Sequence, residues 1–300
     1  MIRVPTPLEK LSHPLLEEKR IDLYVKRDDL TDLFIMGNKW RKLKYNLQEA
    51  KRLGCKWVLT LGGAFSNHVA ATAAAAKEFG FRSKAIIRGD ELNQNSNATL
   101  SFAQSQGMVF EFVDRQLYRR FRSDPSELLQ RHTDTYFVPE GGTNTHAIIG
   151  CREIISEIDI EFDLIVCPVG TGGTLCGLID TLSETQSALG VSVLKGEFVR
   201  DEVRSLLNTF EIVNDRYAID TEYHFGGYGK VTEELIDFIN FFKESFNIQL
   251  DPIYTGKSFF SVWDMIKRDK FEENLRIVLL HTGGLQGIEG FNRKNQNIIQ

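Results

Sequence analysis

At 300 residues, with 42% hydrophobic and 26% charged side chains, the chain exceeds an ordinary single domain and can bury a sizeable core. A formal net charge of −5 without a sustained basic patch argues against nucleic acid as the main partner. The N-terminus Met1-Ile2-Arg3-Val4-Pro5 lacks an apolar signal core, and no run reaches the ~18–20 apolar residues of a membrane span. The four cysteines (Cys55, Cys151, Cys167, Cys176) never form CxxC, which fits reduced thiols in a cytoplasmic protein. None of the six histidines makes an HxxxH or HExxH pair, so no metal is expected.

In chain order, Ile21–Arg27 predicts a strand, followed by the polar Asp28-Asp29 turn. Trp40, Leu43, Leu47, Ala50 and Leu53 then recur at helical spacing, with Asn38 at the N-cap position and Gly54 where a C′ glycine stops a helix. Trp57–Leu61 is a short strand ending in Gly62-Gly63, and an alanine-rich helix runs from about His68 to Phe79. Strand Lys84–Arg88, helix Ala98–Gln106, strand Met108–Val113, a helical patch Pro125–His132 and strand Thr135–Val138 complete this region. Residues 55–140 therefore predict a small inserted α/β domain, with 1–54 and 141–300 forming a larger one. After a helical stripe from Ala147 to Ile158, Asp163–Val169 is a continuous apolar run, as in a strand covered on both faces. Gly170-Thr171-Gly172-Gly173-Thr174 breaks it, and a helix is expected over Leu175–Leu189. Strand Val191–Leu194, helices Asp201–Asn208 and Val231–Phe246, the segment Asp251–Lys257 with its helix, strand Arg276–Leu280 and His281-Thr282-Gly283-Gly284 follow. The pattern is α/β: open, mostly parallel sheets with helices on both faces.

Four stretches carry chemistry. Lys39 falls in the first helical turn, where a cation opposes the helix dipole by up to ~1 kcal/mol. Held against apolar surface, such an amine loses charge stabilisation and becomes a nucleophile able to form a Schiff base with an aldehyde cofactor; an ordinary solvated lysine in the basic run Lys39, Arg41, Lys42, Lys44 is the other reading. Gly170 to Thr174, between a strand and a helix, presents backbone N–H groups to an anion, typically a phosphate. Leu175 breaks the dinucleotide fingerprint and Leu178 after Gly177 breaks a Walker loop, which leaves a simpler phosphate ester. At Gly62–His68, Ser66 and Asn67 sit at a helix start, suited either to holding a carboxylate or ring oxygen or to plain N-capping. Tyr254, Thr255 and Thr282 lie on similar strand edges, where a structural role is equally open.

Taken in order, GNKWRKLKY, GGAFSNH, EGGTN, PVGTGGT, DPIYTGK and HTGG resemble the pyridoxal-phosphate enzymes that include D-cysteine desulfhydrase and 1-aminocyclopropane-1-carboxylate deaminase. The resemblance covers almost the full length. It implies the tryptophan-synthase-β-like, fold type II architecture, the cofactor pyridoxal 5′-phosphate between two domains, a small amino-acid substrate and a homodimer. It also implies roles: Lys39 as Schiff-base lysine, Asn67 on the cofactor's ring oxygen, and Gly170, Thr171, Gly172, Gly173 and Thr174 on its phosphate. Ser66, with the neighbouring Asn67 and His68, is implied for the substrate carboxylate, and Tyr254 for the face of the reacting carbon.

Deaminases of this family look to have glutamate directly after the tyrosine of DPxYxGK and leucine after the histidine of HxGG; here those positions are Thr255 and Thr282. A carboxylate against the pyridine nitrogen deepens the electron sink that ring opening needs. A hydroxyl leaves the ring closer to neutral, sufficient for expelling a good β-leaving group such as hydrosulfide. The expectation is thus a desulfhydrase acting on a small D-amino acid, with Thr255 as first and Thr282 as second candidate for the pyridine partner. Deaminase activity and a catalytically silent cofactor-binding protein are the alternatives. Two departures fall near the expected site: HTGG continues as Leu285-Gln286-Gly287 instead of an Ala-Pro-Ala-like run, and the connection after Lys195 is short for the family.

Overall fold

The computed structural model describes residues 2–295 and 298–300. Ten strands are present among them: β1 Leu8–Lys10, β2 Asp22–Lys26, β3 Trp57–Gly63, β4 Arg82–Arg88, β5 Val109–Val113, β6 Thr135–Val138, β7 Leu164–Val169, β8 Ser187–Ser192, β9 Tyr217–Asp220 and β10 Arg276–Leu280. The chain divides into two compact units. Met1–Asp32, Met36–Asn38 and Cys151–Gln300 form the first; Leu33–Ile35 and Lys39–Gly150 form the second. The expected boundaries at 54 and 141 therefore differ from this division, which puts the Lys39 helix from Lys39 onward and residues 141–150 in the second unit. The reason is a close approach: a Cβ on Gly150 would lie 1.8 Å from the Arg41 carbonyl oxygen, so that glycine lets the two helices meet backbone to backbone.

In the first unit, a six-stranded sheet has the order β1-β2-β10-β7-β8-β9, parallel throughout except for the antiparallel β1–β2 pair. The apolar run of β7 fits its central place, with Ile165, Val166, Cys167 and Val169 all buried. Leu23, Val25, Val166, Ile277 and Leu279 pack with Phe238, Phe242, Phe259 and Trp263 from the helices Glu233–Phe246 and Thr255–Lys267. Phe242 and Phe259 meet edge to face at 5.3 Å, a favoured geometry for the ring quadrupoles.

In the second unit, an all-parallel sheet has the order β5-β4-β3-β6. Strand alternation sends Leu59, Leu61 and Ile86 to one face, under Tyr118 and Phe121 of the helix Arg115–Ser123. Ala85 and Ile87 go to the other, against Val69, Ala73 and Leu100 of the helices Asn67–Glu78 and Ala98–Ser105. The Lys39 helix spans Asn38–Arg52. It ends as expected: Gly54 is left-handed at φ 71°, the Cys55 N–H donates to the Ala50 carbonyl and the Gly54 N–H to that of Lys51. Trp40, Leu43, Leu47 and Ala50 are buried, whereas Leu53, one residue past the helix, is 54% exposed.

Other expectations shift for local reasons. The helix after the glycine loop covers only Gly173–Ile179, not Leu175–Leu189. Polar Ser183–Gln186 instead forms a turn, with the Ser183 N–H donating to Gln186 Oε1. The chain then re-enters the sheet at Ser187–Ser192, earlier than the expected Val191–Leu194. Strand β1, strand β9 and the helices Pro14–Glu18, Arg115–Ser123 and Gln286–Asn295 had no strong apolar period and were not expected. No helix among the described residues is long and apolar enough to cross a membrane.

Candidate active site

In the first unit, four of the sequence-singled segments converge. The backbone of Gly37, at φ 66°, lies so close to the HTGG loop that a Cβ there would be 2.0 Å from the Thr282 carbonyl oxygen. Gly283 packs in turn on Met36, whose Cγ would be 2.7 Å from a Cβ on that glycine. Asn38 is the first residue of its helix. Its side-chain amide Nδ2 donates to Thr174 Oγ1 at 2.8 Å, tying the residue before Lys39 to the helix that starts in the glycine loop. Within that loop Gly172 is left-handed at φ 79°. A Cβ on Gly170 would meet Tyr254 Cε1 at 3.2 Å, so the tyrosine ring lies across the loop's first glycine.

Tyr254 owes its position to Asp251, whose buried carboxylate organises the start of the helix Thr255–Lys267. Its Oδ2 accepts from the Ile253 and Tyr254 N–H groups at 2.9 and 3.0 Å, and its Oδ1 from the Thr255 N–H at 2.8 Å. The Thr255 hydroxyl donates to the same Oδ1 at 2.8 Å and accepts from the Asp251 N–H at 2.9 Å. Thr255 is fully buried, and its hydroxyl is committed to this cap. Thr282 is also buried, and its hydroxyl has no such partner among the described residues. His281 holds the loop: its Nδ1 accepts from the Gly283 N–H at 3.2 Å, and its other ring nitrogen meets the Gln249 carbonyl at 2.6 Å.

Lys39, half-buried, lies in the second unit with the other expected residues. Ser66 is the N-cap of Asn67–Glu78, its Oγ accepting from the Val69 N–H at 3.3 Å, which matches the plain capping reading. Its hydroxyl proton is still available to a ligand. His68, the second residue of that helix, is fully buried, and its pKa is held well below the usual imidazole range by burial and then by the charges of Lys39 and Lys42. The ring is therefore neutral. Thr60 Oγ1 donates to the Val138 carbonyl, so it accepts from His68 Nε2–H at 2.8 Å; this network assigns the tautomer. His68 Nδ1 is left buried as an acceptor with no partner. Lys42 Nζ donates to the Gly141 carbonyl at 3.0 Å and lies 3.4 Å from Thr143 Oγ1, both from EGGTN. Glu140 of that motif is structural: it accepts from the Tyr118 hydroxyl at 2.5 Å and pairs with Arg122 at 3.0 Å.

Two residues escaped the sequence reading. Tyr228 meets Tyr254 edge to face at 6.0 Å, with the hydroxyl oxygens 3.4 Å apart. Its signal was the glycine run Gly226-Gly227-Tyr228-Gly229, which had no periodic neighbour to anchor it. Lys42 read as one charge in a basic run, yet it is buried.

The chemistry of these groups suits an aldehyde cofactor with a phosphate tail. There is an amine (Lys39), a glycine-built strand-to-helix turn with the side-chain-free approach a phosphate needs, and an unpartnered buried ring nitrogen beside the amine's charge. The sequence matches the model of the family described as pyridoxal-phosphate dependent enzyme over residues 2–283, and the chain belongs to that family. Among its relatives, a putative 1-aminocyclopropane-1-carboxylate deaminase of Pyrococcus horikoshii is 32% identical, covering 94% of this chain and 90% of that one. A mitochondrial protein of Arabidopsis thaliana, named bifunctional D-cysteine desulfhydrase/1-aminocyclopropane-1-carboxylate deaminase, is 29% identical over 96% of this chain and 78% of its own. The crystal structure of an ACC deaminase homologue superposes with a TM-score of 0.85 at 31% identity, covering 99% of this chain and 95% of the other. The fold is thus the two-sheet α/β type of that family, and the cofactor class is pyridoxal phosphate.

Proposed function

We propose that the protein is a lyase that converts D-cysteine to pyruvate, ammonia and hydrogen sulfide. The observation that carries this reading is at the residue after Tyr254. It is a threonine, not a carboxylate, and the one acid of the DPIYTGK segment, Asp251, is fully engaged in capping Ile253, Tyr254 and Thr255. Since Thr255's hydroxyl belongs to that cap, Thr282 is the group left to face a pyridine nitrogen, a neutral partner. Neutral hydrogen bonding fits β-elimination of a good leaving group better than opening of a cyclopropane ring.

Lys39 would hold the cofactor at its aldehyde carbon, Asn67 at its ring oxygen, and Gly170 to Thr174 at its phosphate. When bound, pyridoxal phosphate supplies the sink that takes up the electron pair of the α-carbon. Ser66, Asn67 and His68 bind the substrate carboxylate. Lys39 or Tyr254 removes the α-proton, and the β-sulfur leaves as hydrosulfide. The released 2-aminoacrylate takes up water to give pyruvate and ammonia. We further place the protein in the cytoplasm as a homodimer; the four cysteines, none in a CxxC pair, support the first, and light scattering tests the second. The deciding assay compares sulfide and pyruvate release from D-cysteine with 2-oxobutyrate release from 1-aminocyclopropane-1-carboxylate. Preferential turnover of the cyclopropane compound would overturn the threonine argument in favour of deaminase activity, which the names of the relatives keep as the second reading.

A further inference from the structure

Lys257 has the side chain of a surface residue and the location of a core one. It is fully buried in the first turn of the helix Thr255–Lys267. Its Nζ donates to two backbone carbonyls of one loop, that of His224 at 2.9 Å and that of Gly227 at 2.8 Å. That loop has no regular structure to hold it: Phe225, Gly226, Gly227 and Gly229 all have positive φ, at 50°, 91°, 112° and 68°. Left-handed φ is costly for phenylalanine and is not a self-sustaining conformation in a run of glycines. An ammonium that gathers two carbonyls supplies what the loop lacks. The loop also carries Tyr228, which leans edge-on against Tyr254, and Tyr254 lies over Gly170. A chain of contacts therefore runs from Lys257 through loop carbonyls and Tyr228 to the tyrosine placed over the reacting carbon. Burial brings the Lys257 pKa down to about 8, and Asp251, in the cap that fixes Tyr254, is the charge that favours the ammonium.

We propose that Lys257 is a positioning residue acting as a tethered monovalent cation: its ammonium binds the carbonyls of His224 and Gly227 and thereby sets Tyr228 and Tyr254. The inference rests on the lyase reading above only for which reaction is measured. A simple cation that binds at backbone carbonyls has the same size and charge demand as an ammonium, so a small ion or amine should be able to replace the missing head group.

The test is chemical rescue of Lys257→Ala, read in two ways. With the cofactor-free protein, thermal melts should show a lowered midpoint that methylammonium or ethylammonium raises saturably, while wild type does not respond. With the cofactor-loaded protein, kcat for D-cysteine should fall at least tenfold with KM changed less than threefold, and the same amines should restore it. A folded Lys257→Ala protein that no amine or potassium ion stabilises or reactivates overturns the proposal. Should that variant not fold, Lys257→Met, of similar length and without charge, decides: the proposal expects the same tenfold loss of kcat, and a wild-type kcat overturns it. Failure of the lyase reading would show separately, as wild-type protein that turns over no D-cysteine while the apo-protein melts still respond to amines.

Discussion

The assignment of the pyridine partner can be tested by comparing Thr255→Val with Thr282→Val. In the first, the isosteric change removes the hydroxyl that donates to Asp251 Oδ1 and leaves the Asp251 N–H without its acceptor, in a fully buried setting. A hydrogen bond to a carboxylate is worth ~1.5–3 kcal/mol and an orphaned buried donor costs ~1–3, so the loss is about 3–5 kcal/mol. For a unit of this size each kcal/mol lowers Tm by ~2–4 °C, which makes the expected drop roughly 10 °C or more. Thr282→Val removes no hydrogen bond of the hydroxyl among the described residues and should change stability by under ~1 kcal/mol. Its effect should fall on the loaded enzyme instead: a shifted visible absorbance band and a kcat/KM for D-cysteine lowered roughly tenfold, equivalent to ~1.4 kcal/mol. Differential scanning calorimetry, absorbance spectra and sulfide assays on both variants give the answer. A Thr255→Val enzyme that melts like wild type but has an altered spectrum, beside a silent Thr282→Val, would refute the reasoning and return the pyridine role to Thr255.

Lys39→Ala should lack the visible Schiff-base absorbance and should take up no tritium from borotritide, whereas wild type is labelled at that residue; a retained, reducible band would assign the link to another amine. Gly37→Ala forces a left-handed alanine, ~1–2 kcal/mol, and drives a methyl to 2.0 Å from the Thr282 carbonyl oxygen, so it should destabilise by more than ~3 kcal/mol in urea melts. Wild-type stability would show that the segment before Lys39 does not lie against the HTGG loop. His68 contributes a pH term whose sign is fixed by its lowered pKa. As pH falls through 6.5, the unfolded chain binds a proton that the folded one refuses, so stability is lost by up to ~1.4 kcal/mol per pH unit. His68→Asn should flatten that part of the acid limb between pH 6.5 and 5, and an unchanged difference between pH 7 and pH 5 would mean that the folded imidazole is protonated.

Strong local periodicity made most of the fold legible. The β7 run, the alanine-rich helix and the Trp40-Leu43-Leu47-Ala50 stripe each announce their burial in residue types whose only demand is removal from water. Elements that failed to appear in that reading are the ones stabilised by something other than an apolar period. Strand β1 is three residues long and held by its antiparallel register with β2, Leu8 opposite Lys26. The helix Arg115–Ser123 presents Tyr118 and Phe121 inward among four arginines, which hide the stripe. The division into units differs from the expected boundaries at 54 and 141 because a backbone-to-backbone contact such as Gly150 against Arg41 has no signature beyond one glycine.

The candidate site divides the same way, and the division has a physical cause. Motif residues were legible because their chemistry is local: three glycines within four positions announce a turn open to an anion whatever lies around it. Roles that depend on competition between partners were not. Whether a threonine hydroxyl faces a ligand or a helix cap is decided by which acceptor is nearer, and Asp251, four residues before Thr255 and conventional in sequence, takes it. Asn38 shows a partner that local sequence hides: its residue type predicts a cap, while its amide Nδ2 donates to Thr174 Oγ1, 136 positions away. The Asn38–Thr174 bond holds the residue before Lys39 against the helix that starts in the glycine loop. Asn38→Ser, with a shorter reach toward Thr174 Oγ1, should therefore weaken cofactor retention. Equal affinity for pyridoxal phosphate in wild type and Asn38→Ser, measured by equilibrium dialysis, would show that the Asn38–Thr174 bond does nothing for the cofactor.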